Sequence, residues 1–203
     1  MSSAGLCLWL TLVALTPEQL PWGAGAAAAW AWSLETIRRF SPRANRLMMW
    51  FFGPVAREDE WHRVNSGTWY MTALVLLALT YSTTLCVVGV TVLGVGDPVA
   101  GWVGRRFGRH RLASGRSWEG SLAFFVAAAG ATIVTLGWLP SPLALGTAIT
   151  IATVSAAVAA VTEALTRGID DNLTIPLAAA AAAALTLTAF GLGLDAGMST
   201  ATP

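Results

Sequence analysis

Residues able to do chemistry fall in two clusters. The denser runs from Gly94 to Ser121, GVGDPVAGWVGRRFGRHRLASGRSWEGS. Asp97 is expected at the end of an apolar helix. Ala100, Gly101, Gly104 and Gly108 stand three, four, seven and eleven residues after it. On a helix these offsets make one small-residue stripe beside the carboxylate. Such a stripe serves close helix packing, or lets a phosphate chain approach the backbone. Arg105, Arg106, Arg109, Arg111 and Arg116 lie within twelve residues, and guanidinium groups suit bidentate phosphate binding. An arginine-rich loop alone is usually a topology determinant. Together with Asp97, the glycines and Glu119-Gly120, it points to phosphate binding.

The second cluster is ALTRGIDDNLTIPL, Ala164 to Leu177. Adjacent Asp170 and Asp171 at a membrane boundary are costly to bury and useful for Mg²⁺. Plainer roles stand beside this one: Glu163 and Arg167 pair at helical spacing, and Asp171-Asn172 is a helix cap. Neither cluster carries a nucleophile for hydrolysis. The only histidines, His62 and His110, are too few for a zinc site. All twelve basic residues are arginine, which excludes a Walker A loop and any Schiff-base lysine.

These clusters must be positioned by membrane helices. Of 203 residues, 55% are hydrophobic and 11% charged, against about 25% charged in a soluble domain. A net charge of +1 gives no field to attract nucleic acid, so no nucleic-acid partner is expected. Cys7 and Cys86 sit in apolar runs and read as small hydrophobes. The expected fold is an all-α polytopic bundle of about six or seven membrane helices, some short. Residues 1–34 form N-terminal membrane segments, Ala4–Thr16 and Trp22–Leu34. No positive charge precedes the first run, so it reads as a membrane segment and not a cleaved signal. Residues 35–194 form the main domain, and 195–203 a disordered tail.

Glu35 to Ser66 is polar around an apolar Leu47–Phe52, either an interfacial helix or a loop packed on the bundle. Gly67 to Val95 is one long span or two helices turning at Thr80–Thr84. Later blocks are Ser121–Trp138, Leu143–Leu165 and Leu173–Leu194, with Pro140 and Pro142 breaking the first pair. The arginine-bearing stretches belong on the cytoplasmic side, of a bacterial-type inner membrane. Two of them share a side only if Gly67–Val95 turns back, which favours two helices there.

Asp97-Pro98-Val99-Ala100, Gly104-Arg105, Phe107-Gly108 and Arg116-Ser117-Trp118-Glu119-Gly120-Ser121 resemble the first hallmark of the CTP-dependent polyprenol and diacylglycerol kinases. Glu163 and Asp170-Asp171-Asn172-Leu173-Thr174-Ile175-Pro176 resemble the second. Upstream, Glu35, Arg38, Asn45, Arg57 and Glu60 fall where many members carry similar polar residues. The resemblance covers about Glu35 to Leu177. CDP-diacylglycerol synthases share a version of the first hallmark, but their C-terminal signature is absent here. Members often carry lysine where this chain has Arg116.

The resemblance implies a membrane enzyme moving the γ-phosphoryl group of CTP to a lipid alcohol, with Mg²⁺ or another divalent cation. Arg105, Arg106, Arg109 and Arg116 would hold the phosphates, against Gly104, Gly108, Ser117 and Gly120. Asp97, with Asp170 or Asp171, would hold the metal or activate the hydroxyl. Glu119 would orient a loop arginine or the metal, and Asn172 a phosphate or metal-bound water. Glu163, Arg57, Glu60 and His62 are further polar candidates. Expected partners are the lipid alcohol, the nucleotide, membrane lipids and, from the small-residue stripes, a second copy in a homodimer. Alternatives are a phosphatidate cytidylyltransferase and, in another class, a non-catalytic transporter or scaffold.

Overall fold

Prolines and short polar residues set where the helices begin. The computed structural model describes residues 18–52, 63–80, 82–139, 143–166 and 168–194. Helix α1 (Leu20–Phe40) carries a proline in its first turn, where a missing N–H breaks no bond. It ends at Ser41, extended at φ −128° and ψ 109°, as the following Pro42 requires. Helix α2 (Pro42–Phe52) then starts, with Ser41 Oγ accepting from the Ala44 N–H at 3.3 Å. Asn65 Oδ1 accepts from the Gly67 N–H at 2.8 Å and caps α3 (Ser66–Thr80). The remaining helices are α4 (Thr83–Phe107), α5 (Trp118–Gly137), α6 (Leu145–Leu165) and α7 (Asp171–Ala189).

Helices α4 to α7 close a four-membered ring, each packing on the next and α7 returning to α4. Helix α3 lies on α7, and α1 on α3. The core is Leu85, Val88 and Val92 of α4 with Phe124 and Ala128 of α5, Ile151 of α6, and Ile175, Ala179 and Ala183 of α7. Helices α4 to α7 are each long and apolar enough to cross a membrane. Exposed Trp118 and Trp138 bracket α5. Twenty residues of rise separate them by about 30 Å, the thickness of a bilayer's hydrocarbon core, where tryptophans mark the interfaces. The protein is an all-α integral membrane bundle.

Two expectations meet the structure differently. The turn near Thr80–Thr84 is there, separating α3 from α4. Asp97, however, is not at a helix end: α4 continues through Pro98 to Phe107. Proline and glycines suggested a stop, but close packing on α5 keeps the last turns helical. Similarly, α1 runs past Leu34 to Phe40, because Glu35 is neutralised within the helix by Arg38 and Arg39. Ala4–Thr16, Pro140–Pro142 and the 195–203 tail lie outside the described residues.

The helices alternate in direction, so the C-ends of α1, α4 and α6 meet the N-ends of α3, α5 and α7. Glu35, Arg38, Arg105, Glu119, Glu163 and Asp171 all gather at this end. Among the described residues, only Glu18 brings charge to the other.

Candidate active site

The segment between α4 and α5 folds into a hairpin. Arg111 bridges to Ser117, Leu112 N–H donates to the Arg116 carbonyl at 2.7 Å, and Trp118 N–H to the His110 carbonyl at 3.0 Å. At the tip, Gly115 N–H returns to the Leu112 carbonyl at 2.9 Å. Gly115 itself has φ +88°, the left-handed residue that ends such a three-residue loop. Ser117 then caps α5, its Oγ accepting from the Gly120 N–H at 3.1 Å. A Cβ at Gly120 would lie 3.0 Å from the Ala100 carbonyl oxygen and 3.4 Å from Gly104 Cα. The small residues on α4 and α5 therefore let the two backbones meet. This stripe, at Ala100 and Gly104, is filled within the chain by α5.

The hairpin aims Arg116 back over the bundle. Its two Nη atoms donate to Glu163 of α6 and Asp171 of α7. Ser121 Oγ donates to the other Glu163 oxygen at 3.1 Å. Glu163 is buried, 4% exposed, so this carboxylate depends on Arg116 and Ser121 for compensation. The hairpin thus brings α6 and α7 together on one arginine, with α5 joined through Ser121 on Glu163. Around it lies a cleft of about 380 Å³, whose walls include Asp97, Gly101, Arg105, Arg111, Arg116 and Glu163. Asp97 accepts no hydrogen bond among the described residues, and its charge bears on Asp171.

The expected residues divide accordingly. Asp97, Gly104, Arg105, Arg116, Ser117, Gly120 and Glu163 line the cleft. Arg106 instead lies over the Phe107 ring, 5.7 Å from its centroid, and neither it nor Arg109 is in the cleft wall. Gly108 packs against Ser117. Among the described residues Glu119 pairs with His110 and not with an arginine side chain: His110 Nδ1 lies 2.7 Å from its Oε1, and the His110 N–H also reaches it. Asp170 caps α7, accepting from the Asn172 N–H at 2.9 Å and from Asn172 Nδ2 at 2.8 Å. Asn172 thereby spends its amide on the cap. Arg57, Glu60, His62 and Arg167 lie outside the described residues.

Sequence reasoning had named Arg111 without giving it a role, and it had missed Ser66. The hairpin turns Arg111 into the cleft. Ser66 Oγ donates to the second Asp170 oxygen at 3.1 Å, which ties α3 to the cap of α7. A buried cluster stands behind it. Arg38 binds Glu35 at 2.8 Å, Asn45 at 3.2 Å and the Arg63 carbonyl, while the Asn65 N–H reaches Glu35 at 3.4 Å. Burial would raise the Glu35 carboxyl, but hydrogen bonds from Arg39 and Arg38 outweigh it and hold the group below its ordinary range. In the sequence, Glu35, Arg38 and Asn45 stand out only through the family resemblance, and Arg63, Asn65 and Ser66 carry no signal beyond being polar near a helix end.

Among the described residues no three His, Cys, Asp or Glu side chains sit close enough to hold a metal by themselves. Mg²⁺ does not require that, since it is usually held by one or two carboxylates together with substrate phosphates. Asp97 and Asp171, whose charges bear on each other, are the carboxylates that would hold it.

Such a site defines a class: a polytopic membrane protein with a charged cleft, rich in guanidinium and carboxylate, at one end of an apolar bundle. The chain is 29% identical over 158 residues to the CTP-dependent diacylglycerol kinase 1 of Schizosaccharomyces pombe, covering 73% of this chain and 72% of that one. It is 36% identical over 97 residues to the phytol kinase of Synechocystis, covering 45% of this chain and 40% of that one. Both relatives are lipid kinases, of the family that the two motifs resemble. No family model and no solved structure matches the chain.

Proposed function

We propose that the protein is a membrane lipid kinase that transfers the γ-phosphoryl group of CTP to the hydroxyl of a lipid alcohol. The observation that carries this reading is Arg116 held between Glu163 and Asp171 at the rim of a cleft that also presents Arg105, Arg111 and Asp97. Phosphoryl transfer needs positioned cations more than covalent chemistry, and the cleft supplies them. Arg105 and Arg111 bind the phosphate chain. A phosphate competes with Asp171 for Arg116, which can offer it a bidentate face. Asp171, so released, is the carboxylate that would hold Mg²⁺. When bound, Mg²⁺ supplies neutralisation of charge on the β- and γ-phosphate oxygens.

The acceptor oxygen forms a bond to the γ-phosphorus, the bond from that phosphorus to the β–γ bridging oxygen breaks, and CDP leaves. The hydroxyl proton passes to Asp97, which has no hydrogen-bond partner among the described residues. Arginines at this end of the bundle support a cytoplasmic active face. The test uses detergent-purified protein, mixed lipid alcohols and CTP, ATP or GTP labelled in the γ-phosphate. Labelled phospholipid with CTP is the expected product. Labelled pyrophosphate released in the presence of phosphatidate would overturn the reading in favour of cytidylyl transfer.

A further inference from the structure

A second cavity adjoins the charged cleft and has the opposite character. It is an apolar groove of about 580 Å³, with Trp118 and Leu122 of α5 on one wall, Val161 and Leu165 of α6 on the other, and Leu112 of the hairpin above. Its size is that of a ligand pocket. Two residues, Ser114 and Ser121, line both the groove and the charged cleft. Ser121 Oγ is bound to Glu163. Ser114 Oγ is buried and has no hydrogen-bond partner among the described residues. A buried hydroxyl without a partner costs free energy until something completes it.

We infer that this groove is the acceptor subsite: the hydrocarbon chain of the lipid alcohol lies between α5 and α6, with its hydroxyl at Ser114 and Ser121. This rests on the lipid-kinase reading and deepens it. The groove's apolar wall continues along exposed Val126 of α5 and Val158 of α6, so a chain can enter sideways from the bilayer. The hairpin covers the headgroup end. The hydroxyl then meets the free Ser114 Oγ and stands beside Glu163 and Arg116, in a cleft that also contains Asp97. One groove takes one chain, so a single-chain prenol places its hydroxyl end there, and a diacylglycerol places one chain in it and leaves the other in the bilayer.

The test separates acceptor from donor binding. Leu122→Trp and Val161→Trp each narrow the groove from a side chain that already faces outward, so the core stays intact. Each is expected to raise KM for the lipid alcohol about tenfold while KM for CTP stays at the wild-type value. Ser114→Ala, which removes one hydrogen bond, raises the lipid KM about fivefold. Diacylglycerol, phytol and a polyprenol are run in parallel, and the alcohol whose KM moves most is the natural chain class.

A lipid KM unchanged in both tryptophan variants overturns the subsite, as does a parallel rise in KM for CTP. Wild-type protein that labels no lipid alcohol overturns the kinase reading itself, and the subsite with it. A measurement without variants accompanies these: a photoreactive long-chain alcohol bound to wild-type protein is expected to label residues 118–126 and 158–165. Labelling confined to α1 and α3 contradicts the assignment.

Discussion

At the scale of single residues, Arg116 and Asp97 should fail in different ways. Arg116 compensates two carboxylates, one of them buried Glu163. Arg116→Ala leaves that charge unpaired and should destabilise the protein by about 3 kcal/mol, read as a lower Tm in detergent, with loss of activity. Adding Glu163→Gln removes the stranded charge. The double variant should regain most of the Tm and none of the activity, and a Tm that stays low would refute the pairing. Asp97 has no hydrogen bond to lose, so Asp97→Asn should shift stability by less than about 0.5 kcal/mol. If Asp97 takes the hydroxyl proton, kcat should fall at least about a hundredfold. Normal kcat in a folded Asp97→Asn protein removes Asp97 from the chemistry. The sequence located both residues, because acidic and basic groups inside apolar blocks stand out. It could not say that Glu119 faces His110, which depends on the hairpin, and it set the α7 cap at Asp171-Asn172, whereas Asp170 is the cap and Asp171 already lies in the helix.

At the scale of elements, the crossing of α4 and α5 decides the width of the cleft. Gly120 sits where the two backbones meet, with the Ala100 carbonyl oxygen and Ser117 Oγ each 3.0 Å from a Cβ placed there. Gly120→Ala should push the helices apart and cost about 1–3 kcal/mol. Gly130 lies on the same helix with nothing within 4 Å, so Gly130→Ala should be neutral or slightly stabilising. Thermal unfolding of the two variants side by side checks this, and equal Tm values would mean that the crossing is loose. The polar Thr80–Thr84 run left one span or two open, and the α3–α4 turn was legible because the arginine-bearing stretches on either side share a membrane face only if the chain turns back there. The length of α4 was not. Pro98 and the glycines are local stop signals, and packing on α5, which no local pattern reports, overrides them.

At the scale of the whole molecule, six helices, α1, α3 and α4–α7, alternate so that the charges of α1 and α4–α7 collect at one end, and the ring α4–α7 forms a scaffold for the cleft. Helix α3 is joined to it by the Ser66–Asp170 hydrogen bond, and α1 holds the residues just before α3, through Arg38 on the Arg63 carbonyl and Glu35 on the Asn65 N–H. Such an arrangement suits a substrate that arrives in two parts, a charged nucleotide from water and an apolar chain from the bilayer. It requires that all the charged segments lie on one side of the membrane. The positive-inside rule predicts that this side is the cytoplasmic one. Single cysteines placed at Arg106 and Ile169, in a background without Cys7 and Cys86, should react with a membrane-impermeant thiol reagent in inside-out vesicles only. A cysteine at Trp138, at the far end of α5, should react in right-side-out vesicles only. Arg106 stands in the last turn of α4 and Ile169 between α6 and α7, so labelling from opposite sides would break the alternation of α5 and α6. With it would go the convergence of Arg116, Glu163 and Asp171, because no other crossing pattern brings the hairpin, the end of α6 and the start of α7 to one membrane face.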